Sequence, residues 1–178
     1  MVVRPGRTPV LQGEPADGGP WVVEAGVFSA WLVGDDHRPL WLDLLGPGDG
    51  VGPSSGGPSP WTVTALSPAR LRCIGPGRAA QLADARQARL AAFAADLASL
   101  DVTSRVERRL TDLARRFGRA VPDGVMIPMR LPQEQLGALA GTSRESANRA
   151  LQRLMAAGRV SCVRRCRYVV HQPLRVVS

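Results

Sequence analysis

The sequence predicts an α+β chain in three parts: an N-terminal all-β sandwich or roll, a long central helix and a C-terminal winged helix-turn-helix. Three observations predict it. Short apolar runs alternate with Gly- and Pro-rich turn signals over residues 1–75, the composition then changes to helix formers, and two short amphipathic helices flank Gly141-Thr142-Ser143 near the C-terminus. The chain has 178 residues, which suits one compact domain or two small ones, and 44% of them are hydrophobic, enough to bury a core.

The N-terminal runs are Trp21-Val22-Val23, Val27 to Val33, Leu40-Trp41-Leu42 and Trp61 to Leu66. Bounded by Gly, Pro and Asp, they read as short strands. Asp35-Asp36-His37 reads as a hairpin turn, and Gly46 to Pro60 as loop, because so many Gly and Pro residues cannot hold a regular element.

From Arg78 to Ser99 the residues are mainly Ala, Leu, Arg, Gln and Asp. All but Asp are good helix formers. Leu90, Phe93, Leu97 and Leu100 follow a 3-4-3 spacing, the seam of a helix packed on another helix. They are candidate dimer-interface residues; the alternative is a helix lying on its own β-domain. Asp101 is placed to N-cap a helix running to Phe117, with Gly118 as its stop and Val106, Leu110, Leu113 and Phe117 as its apolar face. Val121 to Leu131, containing Pro122 and Pro128, reads as a connector with one short strand.

The helix-turn-helix begins at Leu131-Pro132-Gln133 and runs to Leu154. Leu136, Leu139 and Ala140 face inward at i, i+3 and i+4; Gly141 permits the turn; Ser143 caps the second helix. Ala147, Leu151 and Leu154 form that helix's buried stripe, which turns Arg144, Glu145, Asn148, Arg149 and Gln152 outward. Such side chains can read base edges: Arg bonds guanine O6 and N7, Glu accepts from cytosine N4, and Asn suits adenine. The competing reading is an ordinary helix pair with a solvated face. After Gly158, Val160 to Val163 and Cys166 to Val170 read as two strands around Arg164-Arg165, a basic turn suited to the phosphate backbone.

Charge supports this polarity. Residues 1–100 hold eight Arg against nine acids, whereas residues 101–178 hold fifteen Arg against six acids. The whole excess of the +8 net charge therefore lies in the C-terminal part, as suits a polyanion-binding end, although a basic surface can also serve solubility. No Lys is present, and no function is attached to that.

The segment Leu131 to Val160, including Gly141-Thr142-Ser143-Arg144-Glu145 and Arg149, resembles the DNA-binding signature of the cyclic-AMP receptor protein/FNR (Crp/Fnr) family of bacterial regulators. The resemblance implies that Arg144, Glu145 and Arg149 read a half-site related to GTGA, with Thr142, Ser143, Asn148, Arg153, Arg164 and Arg165 completing the candidate DNA-binding set. Pro132 stands where the family usually has a capping Thr; it can open a helix but brings no capping oxygen. More weakly, Leu97 to Gly118 is similar to the end of the family's dimer helix and the helix after it. Gly46-Pro47-Gly48-Asp49, Thr62 to Leu66, Gly13 to Asp17 and Val23 to Gly26 resemble its sensory β-roll. The domains implied are 1–76 for a shortened, degenerate cyclic-nucleotide-binding-like roll, 77–100 for the dimerisation helix and 101–178 for the DNA-binding domain. The implied partners are double-stranded DNA, a second copy of the chain and, as a further candidate, RNA polymerase.

The effector pocket departs from the family pattern. The ribose-binding Glu falls at about Pro53 and the phosphate-binding Arg at about Ser59. Without the cation a cyclic phosphate loses a charge-assisted contact, so cyclic AMP is not expected in the usual manner, no cofactor is predicted and the effector stays unassigned. The FNR-type cysteine cluster is absent, since Cys73, Cys162 and Cys166 are the only cysteines. If the wing turn is Val163-Arg164-Arg165, Cys162 pairs with Cys166 as a possible redox pair; the plainer reading makes both small apolar fillers. His37 and His171 fit no metal or triad spacing, and no phosphate loop opens a helix, so enzymatic and metal chemistry are not expected. A non-DNA-binding adaptor on the same fold is the remaining rival, and the Arg-rich face argues against it. No signal peptide or membrane span is read, which points to the cytoplasm.

Overall fold

The computed structural model describes residues 1–16, 18–34, 39–53, 57–163 and 166–171. Ahead of the first helix lie β1 (Val2–Val3), β2 (Trp21–Ala25), β3 (Phe28–Val33), β4 (Pro39–Leu45), β5 (Gly50–Val51), β6 (Thr62–Ala65) and β7 (Ala69–Cys73). They form two antiparallel sheets, ordered β1-β7-β2-β5 and β4-β3-β6. Alternation puts Phe28, Leu45, Val63, Ala65 and Leu71 into one core, where each is at most 1% exposed. The segment read as loop, Gly46 to Pro60, contains β5 after all: Val51 pairs with Trp21 and Gly50 with Val22 on the open edge of β2. Two residues are too few for any local signal, so only the partner strand makes them a strand. Asp35, Asp36 and His37, the expected hairpin turn, lie outside the described residues.

Helix α1 (Pro76–Ser99) begins close to the expected point. Its inward stripe is Ala79, Arg86 and Phe93, all buried, with Leu82, Arg89 and Leu90 half-buried beside them. Arg89 donates to Asp43 at 2.8 Å and to Asp49 at 3.0 Å, and Arg86 donates to the Gly50 carbonyl. One face of α1 therefore lies on its own β-sheets, the alternative allowed from the sequence. Of the proposed seam, Phe93 is 4% exposed within the single chain. Leu97 stays 40% exposed, and Ala80, Ala83, Ala91, Ala94 and Ala98 are exposed as well.

By contacts the chain separates into two compact units, Met1–Ala95 and Asp96–Ser178, the division falling inside α1. The second unit starts with α2 (Val102–Phe117), capped by the Asp101 carboxylate, which accepts from the Ser104 amide at 2.7 Å. Val106, Leu110, Leu113 and Ala114 are its buried face, while Phe117 is half-buried. Gly118 ends the helix as expected, but in extended backbone at φ −69°. Glycine is required there for space, because a Cβ would run into the Ala114 carbonyl and the Val125 side chain.

The expected single-strand connector is a hairpin, β8 (Arg119–Val121) and β9 (Gly124–Met126). After α3 (Gln133–Leu139) and α4 (Arg144–Ala156), β10 (Val160–Val163) and β11 (Arg167–Val170) join it in one sheet, ordered β10-β11-β9-β8. The proline-rich stretch gave no alternation to read; β11 supplies the missing partner through Val169 with Met126 and Val170 with Val125. No helix among the described residues is long and apolar enough to cross a membrane.

Candidate nucleic-acid interface

The three helices α2, α3 and α4 pack around Leu110, Leu136, Ala140, Ala147 and Leu151, each at most 2% exposed. Leu136, Leu139 and Ala140 point inward on the first helix, as their spacing predicts. Pro132 stands at the N-cap of α3 without a side-chain hydrogen bond, the consequence expected of a proline there. Gly141 turns the chain at φ +62°, a conformation that costs any other residue. The Thr142 amide then donates back to the Gly137 carbonyl at 2.9 Å, closing the turn.

Ser143 caps α4 by accepting from the Ser146 amide at 3.2 Å. The helix ends in a Schellman arrangement, with the Arg159 amide on Leu154 and the Gly158 amide on Met155 while Gly158 sits at φ +64°. Between these ends Ala147, Ala150, Leu151 and Leu154 are buried. Arg144, Glu145, Arg149 and Gln152 are exposed, and Asn148 is half-buried at the edge of the same face.

Several of these groups are held in place. Arg149 donates to the Ser146 hydroxyl at 3.0 Å, and that hydroxyl lies 3.2 Å from the Ser143 hydroxyl. The Glu145 carboxyl is held below the usual carboxylate range, first by its own backbone N–H, then by the Ser143 hydroxyl, with Arg144 and Arg149 adding to it. It is thus an acceptor-only group throughout the neutral range. Arg153, the remaining candidate on α4, is exposed and donates to the Thr103 hydroxyl at 3.4 Å, at the flank of the face beside α2.

Three further residues shape the interface without having been singled out in the sequence. Arg105 donates to the carbonyl of Ala140 at 3.0 Å and to that of Leu100 at 2.7 Å, and Arg109 donates to the Leu139 carbonyl at 3.0 Å. Two arginines four residues apart on α2 thereby clamp the C-terminal carbonyls of α3. Their charge had been counted only in the bulk excess. The third is Gln133, whose Nε2 donates to the Asn148 Oδ1 at 2.8 Å.

In the wing, Val160 pairs with Val170, Cys162 with Tyr168 and Val163 with Arg167. The register that would oppose Cys162 to Cys166 is therefore not the one formed. Cys166 instead leaves the strand at φ +63°, and its carbonyl accepts the Leu131 amide at 2.9 Å. Both cysteines are free thiols. Arg164 and Arg165, the expected phosphate contacts, lie outside the described residues. Among the described residues no group of His, Cys, Asp or Glu could hold a metal ion.

The N-terminal unit holds a cavity of about 290 Å³, walled by Trp21, Val51, Pro53, Trp61, Leu82 and Arg86 among others. Pro53, near the expected position of the family's ribose-binding Glu, lines it. Ser59, near which the resemblance leads one to expect the phosphate-binding Arg, is 1% exposed and donates its hydroxyl to the Trp61 carbonyl at 2.6 Å. The one guanidinium on the described wall belongs to Arg86 on α1 and lies 4.8 Å from the Trp61 ring centre.

The sequence profile of the Crp-like helix-turn-helix domain matches residues 104–175. The CRP-like cAMP-activated global transcriptional regulator of Mycobacterium tuberculosis is 31% identical over 163 residues, which cover 82% of this chain and 72% of that protein. The chain belongs to the Crp/Fnr family. A CRP-family transcriptional regulator from Thermus thermophilus superposes with a TM-score of 0.79 at 21% identity, covering 97% of this chain and 92% of the other, a likeness of fold. The c-di-GMP responsive global regulator CLP of Xanthomonas campestris has a TM-score of 0.76 at 25% identity, covering 97% and 93%. As a Crp/Fnr-family chain the protein is a DNA-binding transcriptional regulator and not an enzyme, and its N-terminal sheets, long helix, helix-turn-helix and hairpin wing have the family's architecture.

Proposed function

We propose that this regulator binds a near-palindromic DNA site as a homodimer, reads each half-site with the exposed face of α4, and does so without cyclic AMP. The observation that carries the reading is the α4 face itself: Arg144, Glu145 and Arg149 are exposed on one helix side, with Arg149 donating to Ser146 and the Glu145 carboxyl held ionised beside Ser143. Arg144 and Arg149 supply bidentate donors for guanine, and Glu145 an acceptor for cytosine N4, which together fit a GTGA-like half-site. Thr142, Ser143 and Arg153 border that face, and Arg164 and Arg165 are assigned to the phosphates, a role that adds affinity without sequence information.

The homodimer rests on α1. Leu97 and a run of exposed alanines leave small apolar residues open on a 24-residue helix, with half-buried Leu90 on the helix and Leu100 just past its end. Such residues allow two helices to approach closely. Two recognition helices related by a two-fold axis would enter major grooves about 34 Å apart. RNA polymerase is the further partner that regulation of transcription requires, and the cytoplasm is where it would be met.

The absence of cyclic AMP from the mechanism rests on the cavity. Its walls carry Pro53 and Trp61 near the family's sugar and phosphate positions, and Ser59 spends its hydroxyl on the backbone. The wing register removes the direct Cys162–Cys166 pairing on which a redox reading stood.

Selection from a random duplex library by the ligand-free protein tests the whole reading. A two-fold GTGA-like motif is the expected result. Enrichment only on adding cyclic AMP would refute effector-independent binding, and a single unpaired half-site would refute the dimer.

A further inference from the structure

The bond between Gln133 and Asn148 has a consequence for specificity, and it rests on the reading of α4 as the base-contacting helix. An asparagine recognises adenine by using both ends of its amide: the N–H donates to N7 and the carbonyl accepts from N6. Here the carbonyl is already engaged. Gln133, the first residue of α3, donates from Nε2 to Asn148 Oδ1 at 2.8 Å, and both side chains are half-buried between the two helices. Arg149, the next residue along, is engaged separately by the Ser146 hydroxyl at 3.0 Å.

We propose that Gln133 is a positioning residue for specificity. By bonding Asn148 Oδ1 it holds that oxygen toward α3 and leaves the N–H donors to face the groove, so that Asn148 reads an acceptor edge (guanine O6 and N7, or thymine O4) in preference to adenine. Adenine would still offer N7 to those donors, but its N6 donor would find the Asn148 oxygen turned away toward Gln133. Recovering the bidentate adenine contact requires breaking the Gln133 bond, and a neutral hydrogen bond between amides is worth about fivefold in an equilibrium. The device needs no contact between Gln133 and DNA. It converts a side chain with two recognition modes into one with a single mode.

The test uses the full chain and four duplexes. The base pair read by Asn148 is first located as the one whose preference N148A abolishes in library selection. Competition binding is then measured with each of the four bases at that position, for wild type, Q133A and Q133E. Wild type is expected to favour guanine or thymine over adenine by about fivefold. Q133A, which frees the carbonyl, should raise adenine to at least parity. Q133E cannot donate and can only accept from the Asn148 amide, so it should turn the carbonyl outward and favour the donor edges of adenine and cytosine. Its added negative charge should weaken all four duplexes together. A purely structural role for Gln133 would weaken all four equally and keep their order, and that result overturns the proposal. So do a wild-type preference for adenine, or an N148A variant that loses preference at no position, each with the GTGA-like motif still selected. Wild-type protein that bound no duplex would overturn the DNA reading of α4 and this proposal with it.

Discussion

The two units of this chain hold themselves together over different distances along the sequence. In the C-terminal unit the bonds that begin and end the helices are local: Asp101 caps Ser104, Ser143 caps Ser146, and the Arg159 and Gly158 amides close α4 on Leu154 and Met155. In the N-terminal unit they are distant. Val2 pairs with Arg70, the N-terminal amine donates to the Leu71 carbonyl at 2.6 Å, and Arg89 reaches back to Asp43 and Asp49. The functional chemistry divides the same way. The C-terminal unit sets the proposed base-reading side chains in order along one helix, whereas the N-terminal unit encloses a cavity lined by Pro53 and Trp61 among others. Strand pairing is made by backbone groups, which leaves side chains along a strand freer to vary. A recognition helix has no such slack, since each exposed position is fixed by the phase of the buried ones.

The largest expected effect tests the long-range frame. Arg89→Ala removes the cation bonded to Asp43 and Asp49, whose side chains are 8% and 17% exposed, and should cost the N-terminal unit about 3 kcal/mol of unfolding free energy. Calorimetry of the full chain reads it, and a change indistinguishable from zero would mean that strand pairing alone holds α1. Arg149→Ala should next cost about 2 kcal/mol of binding to the selected site and relax one base pair, with little change on random DNA. Equal losses on both would show that Arg149 binds phosphate and would erase the contrast between a reading helix and a supporting wing.

A smaller effect concerns the local caps. The Asp101 carboxyl lies below its ordinary value of 3.8, chiefly through the Ser104 amide. Its contribution to stability is therefore fully present above about pH 3.8 and is lost as the pH falls through the lower folded value. Asp101→Asn should remove that part of the acid limb in a pH series of thermal melts, and an unchanged limb would shift the acid sensitivity to other carboxylates. The smallest effect is in the wing. With Cys162 opposite Tyr168, Cys166→Ser should leave DNA affinity unchanged, and diamide and dithiothreitol should give the same affinity. Opposite shifts by the two reagents would restore the thiols to the mechanism.

Most of the C-terminal unit was legible in advance. The bounds of α2, the cap at Ser143, the turn at Gly141 and the outward set on α4 all follow from periodicity and capping, which act within a few residues. The candidate site was legible to the same extent, but the side chains that orient it were not. Gln133, Arg105 and Arg109 act across helices, and no spacing within one helix announces which carbonyl or amide a long side chain will find in another. The N-terminal unit was legible as short strands and turns. Its β5, the hairpin of β8 and β9 in the second unit, and the wing register were not, because each depends on a partner strand distant along the chain or on which residues form the turn.

By itself, then, the sequence determined the α+β class, the winged helix-turn-helix, the basic C-terminal half and the identities of Arg144, Glu145 and Arg149 on one helix face. Only the tertiary structure decided that Phe93 turns inward, that Cys162 faces Tyr168, and that Asn148 meets Gln133. The physical reason is range. Caps, turns and helix phase are set by neighbours along the chain, while strand register, burial of one helix side over another and bonds between side chains of different helices exist only after distant segments have packed.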